Sequence, residues 1–263
     1  MTRVTVTGAE LDCSVTGEQG PSVVRLHGLT SSRARDRLLG MDVTRALTEH
    51  RVLEYDARGH GRSTGRAVPE DYRWSQLAED AAAVLDAHDM DSGVHGVGVS
   101  MGSATLLHLA TAQPQRFASL TLALPPTAWG SRRVKATDYA AAARAVELGG
   151  LARFQAAAQA VHVRPPAALG PDDTAPEVSE ALLPSVYRGA AASDLPAPAE
   201  LSVLELPVTI LAWIDDPTHP TSTAHALHRL IPGSSLHVAQ TPADTLAWPE
   251  LMAQSLERHR ATV

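Results

Sequence analysis

A serine held between two glycines, in Gly98-Val99-Ser100-Met101-Gly102, sits where a short apolar run from Gly93 to Val99 ends and a helix-forming run from Met101 to Ala112 begins. Few features restrict a fold as tightly. A chain that passes from strand to helix with no loop between must double back within a few residues, and glycines on both sides of the bend leave room where β-carbons would collide. The residue at the apex is then strained, and its side chain projects into a cleft. Ser100 reads as a presented hydroxyl, and the question becomes what could activate it.

The surrounding pattern specifies the kind of sheet. Val4–Val6 and Leu11–Val15 read as an opening hairpin, followed by strands at 23–26, 51–55, 94–99 and 120–124. Between them, Trp74–His88 carries apolar residues at Leu77, Ala78, Ala81, Val84 and Leu85, the spacing of an amphipathic helix. Strands alternating with helices predict an α/β fold with a mostly parallel sheet covered on both faces. From Pro125 to Leu201 the rhythm changes: two Ala-rich helical stretches, Asp138–Leu148 and Leu151–Val163, precede Pro165, Pro166, Pro171, Pro176, Pro184, Pro196 and Pro198. Strand 208–213, helix 223–230, strand 236–238 and helix 250–259 then complete the pattern. The expected division is a core of residues 1–125 and 202–263, with a helical cap, residues 126–201, inserted between strands 6 and 7.

Composition excludes several functions. A net charge of −7 argues against nucleic acid or an anionic membrane surface as partner. The densest basic stretch, Ser131-Arg132-Arg133-Val134-Lys135, reads as solvated surface. Cys13 is the only cysteine, so no internal disulfide can form, and a reducing, cytoplasmic setting is expected. No segment resembles a signal peptide or a membrane span. No ligand spacing for a metal and no phosphate or nicotinamide loop is evident, so no cofactor is expected.

With these residues in place, the chain resembles the α/β-hydrolases of the esterase, thioesterase and lactonase-like group over essentially its whole length. His27-Gly28-Leu29 resembles the family's oxyanion loop, and Asp56-Ala57-Arg58-Gly59-His60-Gly61-Arg62-Ser63 resembles the turn after its fourth strand. The Ser100 turn resembles its nucleophile elbow, and Asp215-Asp216-Pro217 with Pro220 resembles its acid loop. The resemblance implies Ser100 as nucleophile, Asp216 as the acid, and the backbone N–H groups of Leu29 and Met101 as the oxyanion hole. It disfavours epoxide opening and halide displacement, whose enzymes carry an Asp where this chain has Ser100. His27 and Trp129 are expected to line the substrate site, and the resemblance also implies that His27 braces the oxyanion loop by hydrogen bonding.

One departure stands out. The family's general base is a His after the last strand, and here that loop reads Gln240-Thr241-Pro242-Ala243-Asp244-Thr245, with Asp244 in its place and no His until His259. Imidazole suits the work because its pKa lies near 6.5. His219, three residues beyond Asp216 in a loop that faces the nucleophile, is the first choice. Asp244 acting directly and His27 remain alternatives, while His60, His95, His225, His228 and His237 read as structural or solvated. Arg58 and Arg62 read as a solvated charged turn. The leading expectation is a serine hydrolase acting on a small, largely apolar ester, thioester or lactone, with Trp129, Tyr139, Phe154 and Tyr187 contributing to an apolar pocket. Its rivals are a non-hydrolytic binder or cofactor-free lyase, and a catalytically silent scaffold.

Overall fold

The computed structural model describes residues 1–160, 175–216 and 218–258. The expected linkers at Pro165, Pro166 and Pro171, the acid-loop Pro217 and His259 lie outside the described residues. Eight strands form one sheet: β1 (Thr2–Val6), β2 (Ala9–Thr16), β3 (Ser22–Leu26), β4 (Arg51–Tyr55), β5 (Val94–Val99), β6 (Phe117–Ala123), β7 (Val208–Trp213) and β8 (Ser234–Ala239). Their order is β1-β2-β4-β3-β5-β6-β7-β8. β2 pairs antiparallel with both β1 and β4, and every later pairing is parallel. This is the α/β-hydrolase architecture. Because β3 to β8 run the same way, the loops leaving β3, β5 and β7 all emerge at one edge of the sheet.

The helices are α1 (Arg33–Leu38), α2 (Trp74–Asp86), α3 (Met101–Ala112), α4 (Trp129–Ala160), α5 (Leu183–Ala191), α6 (Pro198–Leu201), α7 (Thr221–Leu230), α8 (Pro242–Leu246) and α9 (Trp248–Arg258). Alternation along the strands sorts side chains to two faces. Val24, Leu26, Leu53 and Tyr55 join Leu77, Leu85, Leu106 and Leu107 on the face covered by α2 and α3. Val23, Val52, Val97 and Val99 join Val43, Leu47, Met252 and Leu256 on the other.

α4, α5 and α6 fall between β6 and β7. The helical run begins at Trp129, nine residues before the expected start at Asp138. It breaks at Gly150, whose φ of 74° and ψ of 168° separate two helices, as the two expected stretches require. α1 and α5 were not legible: α1 is only six residues long, and α5 carries a proline in its first turn, so neither offers a sustained period.

The turn after β4 corrects an expectation. Arg62 is exposed, but Arg58 is only 1% exposed and its guanidinium grips Asp80 of α2 through Nε–Oδ2 and Nη2–Oδ1 contacts of 2.6 and 2.5 Å. Asp80 stands on the inward face of α2, between Leu77 and Val84 of its apolar stripe. Two further buried arginines are each paired with two buried carboxylates. Arg25 joins Glu54 and Asp36, while Arg33 joins Asp12 and Asp56.

Candidate active site

Ser100 follows β5 directly and precedes α3, with φ 53° and ψ −109°, a conformation that L-residues rarely adopt. Packing enforces it. A β-carbon on Gly98 would collide with the Gly102 carbonyl, and one on Gly102 would collide with the Leu26 carbonyl of β3. The bend is further pinned because Ser100 N–H donates to Ala123 O (2.9 Å) and the buried Ser103 hydroxyl reaches both Gly98 O (2.7 Å) and Ala123 O (3.0 Å). Ser103 was not singled out from the sequence, since a serine in a helix carries no signal of such a bond.

β7 ends at Trp213, and the loop beyond it turns through Asp215 at φ 58°. Asp216 is 5% exposed, and both its carboxylate oxygens are occupied. Oδ1 accepts the backbone N–H groups of Thr218 (2.8 Å) and His219 (3.0 Å), while Oδ2 accepts His219 Nδ1 at 2.9 Å. Burial alone would raise its pKa, but the His219 hydrogen bond and charge, with the two backbone donors, hold it below the usual carboxylate range. A charged acceptor at Nδ1 requires the proton there, which leaves the Nε2 lone pair free. Nε2 lies 2.8 Å from Ser100 Oγ, so the serine hydroxyl donates to it. The structure therefore brings Ser100, His219 and Asp216 into one hydrogen-bonded line.

Asp244 is elsewhere. It is the third residue of α8, and its Oδ2 accepts the Gln240 and Thr241 N–H groups at 2.8 and 2.9 Å as part of a capping box. Those backbone donors lower its pKa at an exposed position, so nothing tunes it toward proton acceptance near neutrality.

Gly28 meets the elbow closely: a β-carbon on it would lie 3.6 Å from Ser100 Cβ. Next to it, neither the Leu29 N–H nor the Met101 N–H has a hydrogen-bond partner among the described residues. Of the two roles expected of His27, its hydrogen bonds are those of the brace. It is buried, with Nδ1 donating to Gly28 O (2.8 Å) and Nε2 accepting Ala57 N–H (2.9 Å), so both ring nitrogens are spent inside the protein. Burial, reinforced by the neighbouring His60, pushes its pKa down to about 3. Trp129 is half-buried against the core. Its backbone N–H donates to Asp194 and its indole N–H to Pro196 O, so its polar atoms anchor the start of α4. On the far side of Leu29, the partly buried Leu151, Phe154, Leu182 and Tyr187 pack with Val146, Val178 and Leu183.

Among the described residues no three His, Cys, Asp or Glu side chains stand close enough to hold a metal ion. Nor is any described helix long and apolar enough to cross a membrane.

A profile described as "alpha/beta hydrolase fold" matches residues 21–164. The chain is 34% identical over 148 residues to 3-oxoadipate enol-lactonase 1 of Acinetobacter baylyi, a match covering 55% of this chain and 51% of that protein. The chain thus spans about half the length of that curated relative, and smaller shares of others it matches. In three dimensions it resembles the enol-lactonase from Burkholderia xenovorans, with a TM-score of 0.79 at 21% identity over 97% of this chain and 100% of the other. It also resembles a thermophilic esterase from Thermogutta terrifontis, with a TM-score of 0.77 at 19% identity over 99% of both. At these identities the structural likenesses speak to the fold.

Proposed function

The chain belongs to the alpha/beta hydrolase fold family, and we propose that it is a serine hydrolase cleaving a carboxylic ester, thioester or lactone of a small, largely apolar substrate. The single observation that carries this reading is the 2.8 Å contact between His219 Nε2 and Ser100 Oγ, with Asp216 holding the other ring nitrogen. It supplies a base for the hydroxyl without any residue from the loop after β8.

In this mechanism Ser100 Oγ attacks the substrate carbonyl carbon as its proton passes to His219 Nε2. The new imidazolium is stabilised by the Asp216 carboxylate. Negative charge on the former carbonyl oxygen is received by the Leu29 and Met101 N–H groups, each worth roughly 3–4 kcal/mol of barrier. The intermediate collapses when His219 returns the proton to the leaving oxygen or sulfur, leaving an acyl group on Ser100. Water, deprotonated by the same imidazole, then attacks the acyl carbon, and His219 returns that proton to Ser100 Oγ as the acid departs. The helical segment between β6 and β7 acts as the cap, and its Phe154, Tyr187, Leu151 and Leu182 beside Leu29 favour an apolar substrate portion. The 34% identity to an enol-lactonase lends support to lactones within the proposed class.

The rival reading, a non-hydrolytic binder or lyase, drew its force from the missing His after the last strand, and a base supplied from the acid loop removes that argument. A fluorophosphonate probe with intact-mass detection tests the proposal. Stoichiometric labelling of the wild type, lost in Ser100→Ala, is expected. A wild-type chain that stays unlabelled overturns the reading.

A further inference from the structure

Resting on that reading, we infer that the backbone strap Glu177–Val178, which leads into α5, is a positioning element of the oxyanion hole. The need for one is written in the loop it touches. Ser31 N–H donates to Gly28 O (3.1 Å), closing a four-residue turn whose third residue, Thr30, has φ 58°. With Leu29 outside the positive-φ residues, this is a type II arrangement, which calls for Gly or Asn at that position. A β-branched residue there is an outlier, and such a conformation persists only where its surroundings over-determine it.

The surroundings act on the Thr30 carbonyl. It accepts the Glu177 N–H at 2.9 Å and Arg35 Nη1 at 3.2 Å. The strap is in turn clamped to the turn after β4: Gly61 N–H donates to Glu177 O (2.7 Å) and Val178 pairs antiparallel with His60. Val178 is buried, in the cluster against which Leu29 packs. The Glu177 side chain is exposed, so the contact is made by the main chain and has no side-chain signature in the sequence. One element thus holds both the strained carbonyl of Thr30 and the apolar wall beside Leu29. Released, the turn can relax at Thr30 and no longer fixes the Leu29 N–H against Ser100.

The test removes one N–H. Glu177→Pro deletes the donor to Thr30 O and keeps the carbonyl that Gly61 uses. If that variant does not fold, a backbone ester at 177, introduced as the α-hydroxy acid, deletes the same atom alone. The readouts are kcat and KM on a p-nitrophenyl ester, and affinity for a trifluoromethyl ketone, whose adduct carries the oxyanion, against the corresponding methyl ketone. We expect kcat and trifluoromethyl ketone affinity to fall together by about tenfold with KM and methyl ketone affinity held, and Glu177→Ala to lose far less. Adding Thr30→Gly, which adopts that φ without restraint, recovers at least about threefold of the loss. Unchanged kcat, a rise in KM alone, or no recovery with Thr30→Gly overturns the inference while leaving a labelled Ser100 enzyme intact. A wild type that neither labels nor turns over removes the functional reading, and the strap's role with it.

Discussion

Asp216→Asn isolates the orienting carboxylate, and the surrounding hydrogen bonds fix how the asparagine must sit. Two backbone N–H groups, from Thr218 and His219, point at Oδ1 and need an acceptor, so the amide oxygen takes that place. The amide NH2 then faces His219 Nδ1 at about the present 2.9 Å and can only donate to it. Nδ1 becomes the acceptor, the proton moves to Nε2, and the atom facing Ser100 Oγ loses its lone pair. Geometry is retained while the tautomer is wrong. In serine hydrolytic triads this error costs about 10⁴-fold in kcat, equivalent to about 5.4 kcal/mol at 1.36 kcal/mol per decade. The assay is the rate of Ser100 phosphonylation by a fluorophosphonate, read by intact mass, alongside steady-state ester hydrolysis. A 10³- to 10⁴-fold slower reaction with KM near the wild-type value is expected. A loss below about tenfold would contradict the proton on Nε2, because an imidazole in that tautomer cannot take one from Oγ.

Ser100→Gly should abolish labelling yet raise stability by about 1 kcal/mol, or about 3 °C in Tm, since φ 53° and ψ −109° cost a glycine little; an unchanged or lowered Tm in a calorimetric scan contradicts the strain argument. Asp244→Ala should leave turnover within about twofold while lowering Tm by about 2 °C through loss of the α8 cap, and a collapse of kcat would mean that Asp244 takes part in proton transfer. His60 is buried with its pKa pushed down to about 4 by desolvation, and its ring lies 5.3 Å from that of His27. Below about pH 6.5 the unfolded chain binds protons that these rings refuse, so their contribution is complete above that pH and is lost as pH falls toward 4. The slope is roughly 1 kcal/mol per pH unit per imidazole, so His60→Asn should flatten the decline seen in urea titrations at pH 7, 6 and 5, and an unaltered slope counts against it. Arg58→Met strands the buried Asp80 carboxylate and should cost about 3–5 kcal/mol, measured by the same titrations; a loss under about 1 kcal/mol would mean that the pair is not desolvated.

How much of this was legible in the sequence depended on how local the cause was. The Ser100 bend was legible because its requirements sit within five residues: two glycines, an apolar run before and a helix former after. The parallel sheet was legible from periodicity, with the Gly150 break accounting for two Ala-rich stretches where one long helix would otherwise run. Asp216 and His219 are legible as a pair because they stand three positions apart in one loop. The burial of Arg58 is not legible because its partner, Asp80, lies 22 residues away, a carboxylate set among the apolar residues of the inward face of α2. For His27 the resemblance offers both a brace and a substrate-lining residue, and only the structure shows backbone partners at Gly28 and Ala57 committing both nitrogens. The strap escaped notice because main-chain bonds leave no trace in residue identity.

Residue order alone fixes the sharp bend at Ser100, the strand-and-helix alternation, and the absence of a histidine from the loop after the last strand. Those follow from steric and hydrophobic preferences that act over a few residues. That an imidazole 119 positions away meets the serine is a property of the folded domain. β5 and β7 are parallel and separated only by β6, so their ends lie about 10 Å apart at one sheet edge, a gap that a loop and a histidine side chain span. That proximity comes from the order of strands in the sheet, which hydrogen bonding and burial across the whole domain select.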